Sequence, residues 1–415
     1  MKKKVGMLIA VCFCAVLFLS VVSTAVEYTA SQSTLPSFTT SIVDSSGYVG
    51  EYTSIAVDSK NGVYLSYFDS THNDLKCAYK PNGGIWTTTT VDTGSGTYTS
   101  IAIDSADGVH ISYYDYMKGA LKYAYKPSGG MWTNTTVDPE GGKYTSIAVD
   151  SANGVHISYR TYDYGKNSNM LKYAYKSSGG GWSNTTIDTL ATNYGASTSI
   201  AIDSADGVHI SYYDPYYFSQ KYAYKPSGGF WGRITIDSGN NGKYSSIVVN
   251  STDGVHICYS TYNGGSLNYA CKPKGGKWNL TTVDSADADY MSIAVDSKDG
   301  VHISYRGHKS VDQKYAYKPY GGTWTTTTVD SASDVGNFTS IAVDSSGYVH
   351  ISYYDGTNGD LKYAVSNSSV LVPECSVSVV AAGVVMIALF FVVRNCRRKE
   401  KTGIRFFSSA KPNGL

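Results

Sequence analysis

The chain has 415 residues, with 34 Lys and Arg against 33 Asp and Glu, 42 Gly and 38 Tyr. Its near-neutral charge excludes the basic stripe that a nucleic-acid binder needs, and 42% hydrophobic with 13% aromatic residues excludes a disordered chain. Only seven cysteines occur, which gives no readable disulfide framework.

In chain order, Lys2, Lys3 and Lys4 precede an apolar run from Val5 to Val22, and Ser23-Thr24-Ala25 offers small residues for cleavage. That is the pattern of a secretory signal peptide over residues 1–25, followed by a linker over 26–37. From residue 38 a single unit then recurs. A segment of the type SIAVDSxDGVHISYYD, followed by LKYAYKPxGGxWxxTTVD, appears seven times, with its Ser at Ser54, Ser100, Ser146, Ser199, Ser246, Ser292 and Ser340. Short alternating segments at a period of 46 to 53 residues are the signature of propeller blades, one four-stranded sheet per repeat.

The second copy predicts strands over Thr99 to Asp104, Val109 to Asp115, Leu121 to Lys126 and Trp132 to Asp138. Only six copies end in a Trp-led fourth strand, at Trp86, Trp132, Trp182, Trp231, Trp278 and Trp324. The seventh is found at the other end of the repeat array, where Phe38-Thr-Thr-Ser-Ile-Val43-Asp44 matches Trp86-Thr-Thr-Thr-Thr-Val91-Asp92 position for position. The expected fold is therefore all-β, a seven-bladed β-propeller over residues 38–366 whose last blade is completed by this N-terminal strand.

Beyond a linker at 367–376, Val377 to Val393 is an uncharged run of 17 residues, and Arg394, Arg397, Arg398, Lys399 and Lys401 follow it. This reads as a transmembrane helix over 377–393 with a basic cytoplasmic tail at 394–415, leaving the propeller outside the cell. Between the signal peptide and the Val372-Pro373-Glu374-Cys375 segment, acids outnumber Lys and Arg by seven. The motif Val372-Pro373-Glu374-Cys375, with the apolar run and basic cluster behind it, resembles the tripartite tails cut by exosortase and archaeosortase enzymes. The resemblance implies a sorting enzyme as a partner, and a plain single-span anchor is the alternative.

Comparing the copies locates a working face. The turn from first to second strand and the turn from third to fourth keep constant length, so both are structural. Tyr113 to Lys122 and its equivalents span nine residues, but Tyr159 to Lys172 spans 13, and the longest link between blades, Asp188 to Ser199, also leaves blade three. All length variation falls on one face of the ring. Blades two to four crowd that face with Tyr114, Asp115, Tyr116, Tyr162, Asp163, Tyr164, Tyr213, Asp214, Tyr216, Tyr217 and Phe218. Rings beside carboxylates are what a sugar-binding surface uses, because ring faces stack on C–H patches while polar groups take the hydroxyls.

Where other blades have Phe68, Tyr114, Tyr213 or Tyr354, blades three and six carry Arg160 and Arg306. Paired guanidiniums can grip the carboxylate or sulfate of an acidic sugar, or each can pair with a local Asp. Glu51 and Glu140, both in links between blades, are the catalytic candidates should the face act as a glycosidase or lyase.

His110, His156, His209, His256, His302 and His350 hold one position in the second strand, and six copies point to a structural hydrogen bond rather than a triad. The turn Asp104-Ser-Ala-Asp107-Gly108 reads as a hairpin with Asp capping its own backbone and Gly at positive φ, rather than as a calcium loop. No metal or cofactor is called for. Asn134, Asn184, Asn250, Asn279, Asn337 and Asn367 stand in glycosylation sequons, and Cys77, Cys258 and Cys271 are expected as free thiols.

The repeats also resemble an exported bacterial and archaeal propeller family worded YTSIALDSxGxxHISYYDxxNGDLKYA with a GGxW segment, most closely over Thr53 to Ala78 and Thr339 to Ala364. That resemblance covers all seven blades and implies a secreted or surface repeat protein. It extends distantly to sialidase-type propellers, but the SxDxGxTW turn of those enzymes is absent here and no sialidase triad carries over. The expected function is a non-enzymatic cell-surface binding or adhesion module for a glycan or an extracellular protein. The alternatives are a carbohydrate-active enzyme on the same face and a structural envelope protein.

Overall fold

The computed structural model describes residues 35–371 except 164, 166, 167, 191–196, 240, 262–264 and 287, with the side chains of 241 and 243 also left out. The expected signal peptide, the 377–393 span and the basic tail lie outside the described residues. Within them the chain makes seven four-stranded antiparallel sheets, six of them simple meanders. In blade two the strands are Thr97–Ile103, Val109–Asp115, Ala120–Lys126 and Thr133–Asp138. The seventh blade takes its outer strand from the N-terminus: Phe38–Asp44 pairs antiparallel with Asp360–Ser366, Thr39 opposite Val365 and Ser41 opposite Tyr363. All seven blades close within the described residues, so the propeller is complete without either terminal segment.

Three recurrent contacts join each blade to the next. The first strand of every blade is a sheet edge whose outward N–H groups need acceptors. The repeat Ser supplies one at every junction: the Oγ atoms of Ser54, Ser100, Ser146, Ser199, Ser246, Ser292 and Ser340 accept from the backbone N–H of Ile101, Ile147, Ile200, Ile247, Ile293, Ile341 and Ile55 at 3.2 to 3.3 Å. The Asp ending each outer strand accepts from a buried Tyr hydroxyl of the following blade, as Asp92 does from Tyr113 and Asp138 from Tyr159. Asp44 does the same for Tyr67, so the closing junction is built like the others.

Five of the six outer-strand Trp pack edge-on against a third-strand Tyr of the preceding blade, Trp182 on Tyr123 at 5.1 Å for instance, whereas Trp132 packs in the cluster that holds Cys77, the residue blade one has in place of that Tyr. Phe38 takes that role against Tyr315 at 5.2 Å, as the sequence match requires. The apolar cores therefore sit between blades: Val49, Ile55, Leu65 and Tyr67 of blade one cluster with Leu361 and Tyr363 of blade seven.

The repeated His is structural. His110 lies between the Asp104 carboxylate at 3.0 Å and the Tyr123 hydroxyl at 2.7 Å, and His156, His209, His302 and His350 are held alike. In blade five Asn250 replaces the Asp, and His256 Nε2 is buried without a hydrogen-bond partner among the described residues.

The hairpin turn corrects one expectation. Positive φ falls on the residue before the Gly, at Asn61, Asp107, Asn153, Asp206, Asp253 and Asp299, and only blade seven places a Gly, Gly347, there. Asp and Asn tolerate the left-handed region. Gly108 is needed for a different reason, since a Cβ there would lie 2.4 Å from the Asp104 carboxylate.

Candidate functional site

A meander alternates direction, so the second-to-third loops and the links between blades share one end of the ring, opposite the hairpin turns. At this end the first strand of each blade reaches the mouth of the central channel two residues before the repeat Ser. Six of the seven blades place an aromatic residue there: Tyr52, Tyr98, Tyr144, Tyr244, Tyr290 and Phe338, all half-buried. Consecutive rings touch. Centroids lie 4.5 to 4.8 Å apart along Tyr244, Tyr290, Phe338, Tyr52, Tyr98 and Tyr144, at tilts of 36° to 58°. A regular seven-fold ring with that spacing has a radius of about 5 Å. The collar is interrupted only at blade four, where Ser197 holds the position.

The backbone is strained to make this collar. Tyr52, Tyr98, Tyr144, Tyr290 and Phe338 all have φ between 42° and 55°. Bulky residues are genuine outliers there, at a cost of about 1 kcal/mol each, and Gly would avoid it. In each of these five blades the residue lies at a β-bulge, across which the register of the first and second strands shifts.

Charged groups border the collar. Glu51, beside Tyr52, is half-buried, and burial raises its carboxyl above the usual carboxylate range. Asp289 holds the equivalent place beside Tyr290; it is 5% exposed and bonds the His308 ring, while its Oδ1 meets no hydrogen-bond partner among the described residues. Burial, with the neighbouring Tyr144 and Tyr52 hydroxyls, raises the Tyr98 hydroxyl far above its ordinary value, so that hydroxyl stays protonated.

The predicted loop residues divide into three groups. Tyr114 joins the collar, its ring 6.3 Å from Tyr98, with Lys143 Nζ 5.8 Å from its face. Tyr116, Tyr216, Tyr217 and Phe218 form an outer exposed band at 39%, 53%, 69% and 38% accessibility, Tyr216 edge-on to Tyr217 at 4.7 Å. Tyr162 and Asp163 are half-buried and lie at the end of the lengthened second strand of blade three, Val155–Asp163, paired with Asn169 and Ser168, and Tyr164 lies outside the described residues. Asp115, Asp214 and Tyr213 are buried. Asp115 and Asp214 cap their own loops, accepting from the N–H groups of Lys118 and of Tyr216 and Tyr217, which leaves them structural work instead of an open ligand surface. Glu140 is exposed, and its main chain braces its own loop against Asp138 and Thr161.

The two arginines do not converge. Arg306 reaches the next blade and pairs with Asp334 through Nε at 3.2 Å and Nη2 at 2.7 Å, which is the local ion pair. Arg160 also reaches the next blade, where Nη2 donates to the Tyr213 carbonyl at 2.6 Å and the guanidinium lies 5.8 Å from the Tyr212 ring centroid. It is 2% exposed, burial lowers its pKa to about 10, and its Nε and Nη1 meet no acceptor among the described residues.

Of the sequons, Asn134, Asn184, Asn279 and Asn367 are exposed, whereas Asn250 caps its hairpin turn and Asn337 donates to Asp334. Cys77, Cys258 and Cys271 are free thiols, and among the described residues no group of His, Cys, Asp or Glu is arranged to hold a metal ion.

The collar is the part of the site that the loop-length argument passed over. Its signal was present: an aromatic residue two positions before the repeat Ser in six of seven copies. No protein-family model matches the chain, and no curated protein does. Solved structures match its fold. Virginiamycin B lyase from Staphylococcus aureus is 13% identical at a TM-score of 0.55, covering 80% of this chain and 99% of its own. A polysaccharide lyase of family PL25, an ulvan lyase, is 11% identical at 0.53, with 81% and 96% covered. The fucose-specific lectin of Aleuria aurantia is 11% identical at 0.50, with 68% and 97% covered. At these identities the likeness is one of fold, a β-propeller.

Proposed function

We propose that the chain is an exported, membrane-anchored propeller whose collar face binds glycans. The observation that carries this reading is the collar itself, six aromatic side chains held around one opening, five of them in a backbone conformation that costs stability. Ring faces and edges at such a mouth suit the C–H patches of sugars, and the Tyr hydroxyls and Glu51 can take sugar hydroxyls. The exposed band of Tyr116, Tyr216 and Tyr217 extends the surface on blades two and four. Export by residues 1–25 and anchoring by 377–393, with 394–415 in the cytoplasm, put this face where extracellular polysaccharide is met. The Val372-Pro373-Glu374-Cys375 segment makes the anchor a substrate for a sorting enzyme.

Arg160 gives the site a preference. A buried guanidinium at the blade three–four junction, whose Nε and Nη1 meet no acceptor among the described residues, gives that junction a positive charge that favours saccharides carrying a carboxylate or sulfate. The test is a panel of neutral and acidic glycans offered to the soluble propeller, residues 35–371, and to its Arg160→Met variant. Acidic glycans should bind, and the variant should bind them about tenfold more weakly, the worth of one charge-assisted hydrogen bond. Retention of no glycan at all overturns the reading. A second reading, a carbohydrate-active enzyme on the same face, is favoured by Glu51, whose half-buried carboxyl is raised by burial above the usual carboxylate range, the direction a proton donor needs. Turnover of a retained glycan, abolished by Glu51→Gln, would select it.

A further inference from the structure

The end of the ring opposite the collar holds the hairpin turns between first and second strands near the axis and the turns between third and fourth strands at the rim. Three of the rim turns hold out large apolar side chains. Ile85 is 80% exposed, Met131 85% and Phe230 93%, and each immediately precedes the Trp of its blade. Tyr320, in the rim turn of blade six, is 75% exposed. Folding does not ask for these residues, because the equivalents of Ile85 in blades three, five and six are Gly181, Lys277 and Thr323. Any one such side chain is ordinary on a protein surface; what these three share is the face on which they stand. Lys80, Lys126 and Lys225 end the third strands that lead into these turns, half-buried along the stem. Apolar tips with flanking lysines are the composition of a surface that rests on lipid headgroups.

The described chain also ends on this face. Val370 N–H donates to the Gly347 carbonyl at 2.9 Å, and Lys298 Nζ donates to the Leu371 carbonyl. Gly347 and Lys298 both belong to hairpin turns between first and second strands. Residues 372–376 alone separate this point from the apolar run at 377, a reach of about 20 Å when fully extended.

We propose that the turn face is a membrane-contacting face: Ile85, Met131 and Phe230 enter the headgroup boundary of the bilayer that residues 377–393 span, and the collar is directed away from the lipid. The proposal rests on the reading of 377–393 as a span. A tether this short keeps the tips at high effective concentration beside the bilayer, so three shallow insertions suffice to orient the ring.

All six tryptophans begin outer strands on this face, so intrinsic fluorescence reports its contact with lipid without a label. The full chain is reconstituted into phosphatidylcholine vesicles, with and without bromine on the acyl chains near the headgroups, and separated by flotation. The proposal expects the floated protein to lose about a quarter or more of its tryptophan emission to bromine. The variant Ile85→Ser/Met131→Ser/Phe230→Ser, whose changes fall on exposed side chains, should float equally and lose little. Floated wild-type protein with unquenched tryptophans overturns the proposal while leaving the anchor in place, and so does a variant quenched as strongly as wild type. Protein that does not float at all overturns the anchor reading and the proposal with it.

Discussion

Replacing Asp44 by Asn measures what the N-terminal strand contributes to closing the ring. The carboxylate accepts from Tyr67 at 2.7 Å and from Lys76 Nζ at 2.6 Å, both in blade one, while its own strand completes blade seven. Burial pushes the carboxyl up, but the hydrogen bonds from Lys76, Ser46 and Tyr67 outweigh it and hold the pKa at about 2, below the ordinary 3.8. A shift of that size corresponds to about 2 kcal/mol, and screening by the water that still reaches the group leaves about 1 to 2. A propeller of about 330 residues unfolds with an entropy near 0.7 kcal/mol per degree, so the variant should melt about 2 °C lower.

Asp92→Asn, the same position at the junction of blades one and two, provides the yardstick. Because the folded-state pKa is depressed, the stabilisation is present above about pH 4 and is lost as pH falls from there toward 2. Thermal denaturation followed by circular dichroism should therefore separate Asp44→Asn from the parent at pH 7 and bring the two together near pH 2. A parent-like melting temperature for Asp44→Asn at pH 7, alongside a clear drop for Asp92→Asn, would refute closure through this strand.

Two further substitutions probe the junctions. His256 lacks the Asp partner of its counterparts, and burial together with Lys318 lowers its pKa to about 4; a folded pKa below the unfolded 6.5 means stability is lost as pH falls from 6.5 toward 4. Asn250→Asp should raise the His256 pKa in an NMR titration and move acid unfolding to lower pH, and an unchanged titration would contradict the assigned contact. In five junctions a Ser or Thr hydroxyl of one blade meets a Ser of the preceding blade, as Thr145 meets Ser112 at 2.8 Å, but at the junction of blades five and six the pair is Cys258 and Met291, packed in one apolar cluster. Cys258→Ser and Met291→Thr should each destabilise alone and recover about 1 kcal/mol when combined; additive effects in chemical denaturation would show that the two positions do not communicate. Buried and pushed well above the ordinary thiol range, Cys258 should also resist alkylation in the native protein.

The blade count, the strand order and the closing strand were legible because each rests on a repeated local pattern. The sequence match of Phe38 to Trp86 survives as the same ring-on-Tyr contact. The structural role of the six His was legible from their number. What the sequence could not show was direction. Asp115 and Asp214 look like ligands among the loop residues, yet each lies close enough to its own loop to cap it, and a capping geometry leaves no trace in spacing alone. Arg306 has its partner in Asp334, beyond the two remaining strands of its own blade, and only folding brings the pair within 2.7 Å. The collar escaped for the opposite reason. Length variation draws attention to the loops, whereas the collar is carried by a residue type that barely varies and whose inward direction depends on a positive φ.

Binding of glycan by collar variants tests the central claim most directly. Tyr98→Gly and Tyr290→Gly put the residue that favours positive φ at 53° and 42°, so relief of backbone strain offsets part of the lost ring contact. The account predicts that each variant keeps a melting temperature within a few degrees of the parent while its affinity for a retained glycan, measured by isothermal titration calorimetry, falls about tenfold or more. Undiminished affinity in both variants would contradict it and leave the collar as packing at the channel mouth.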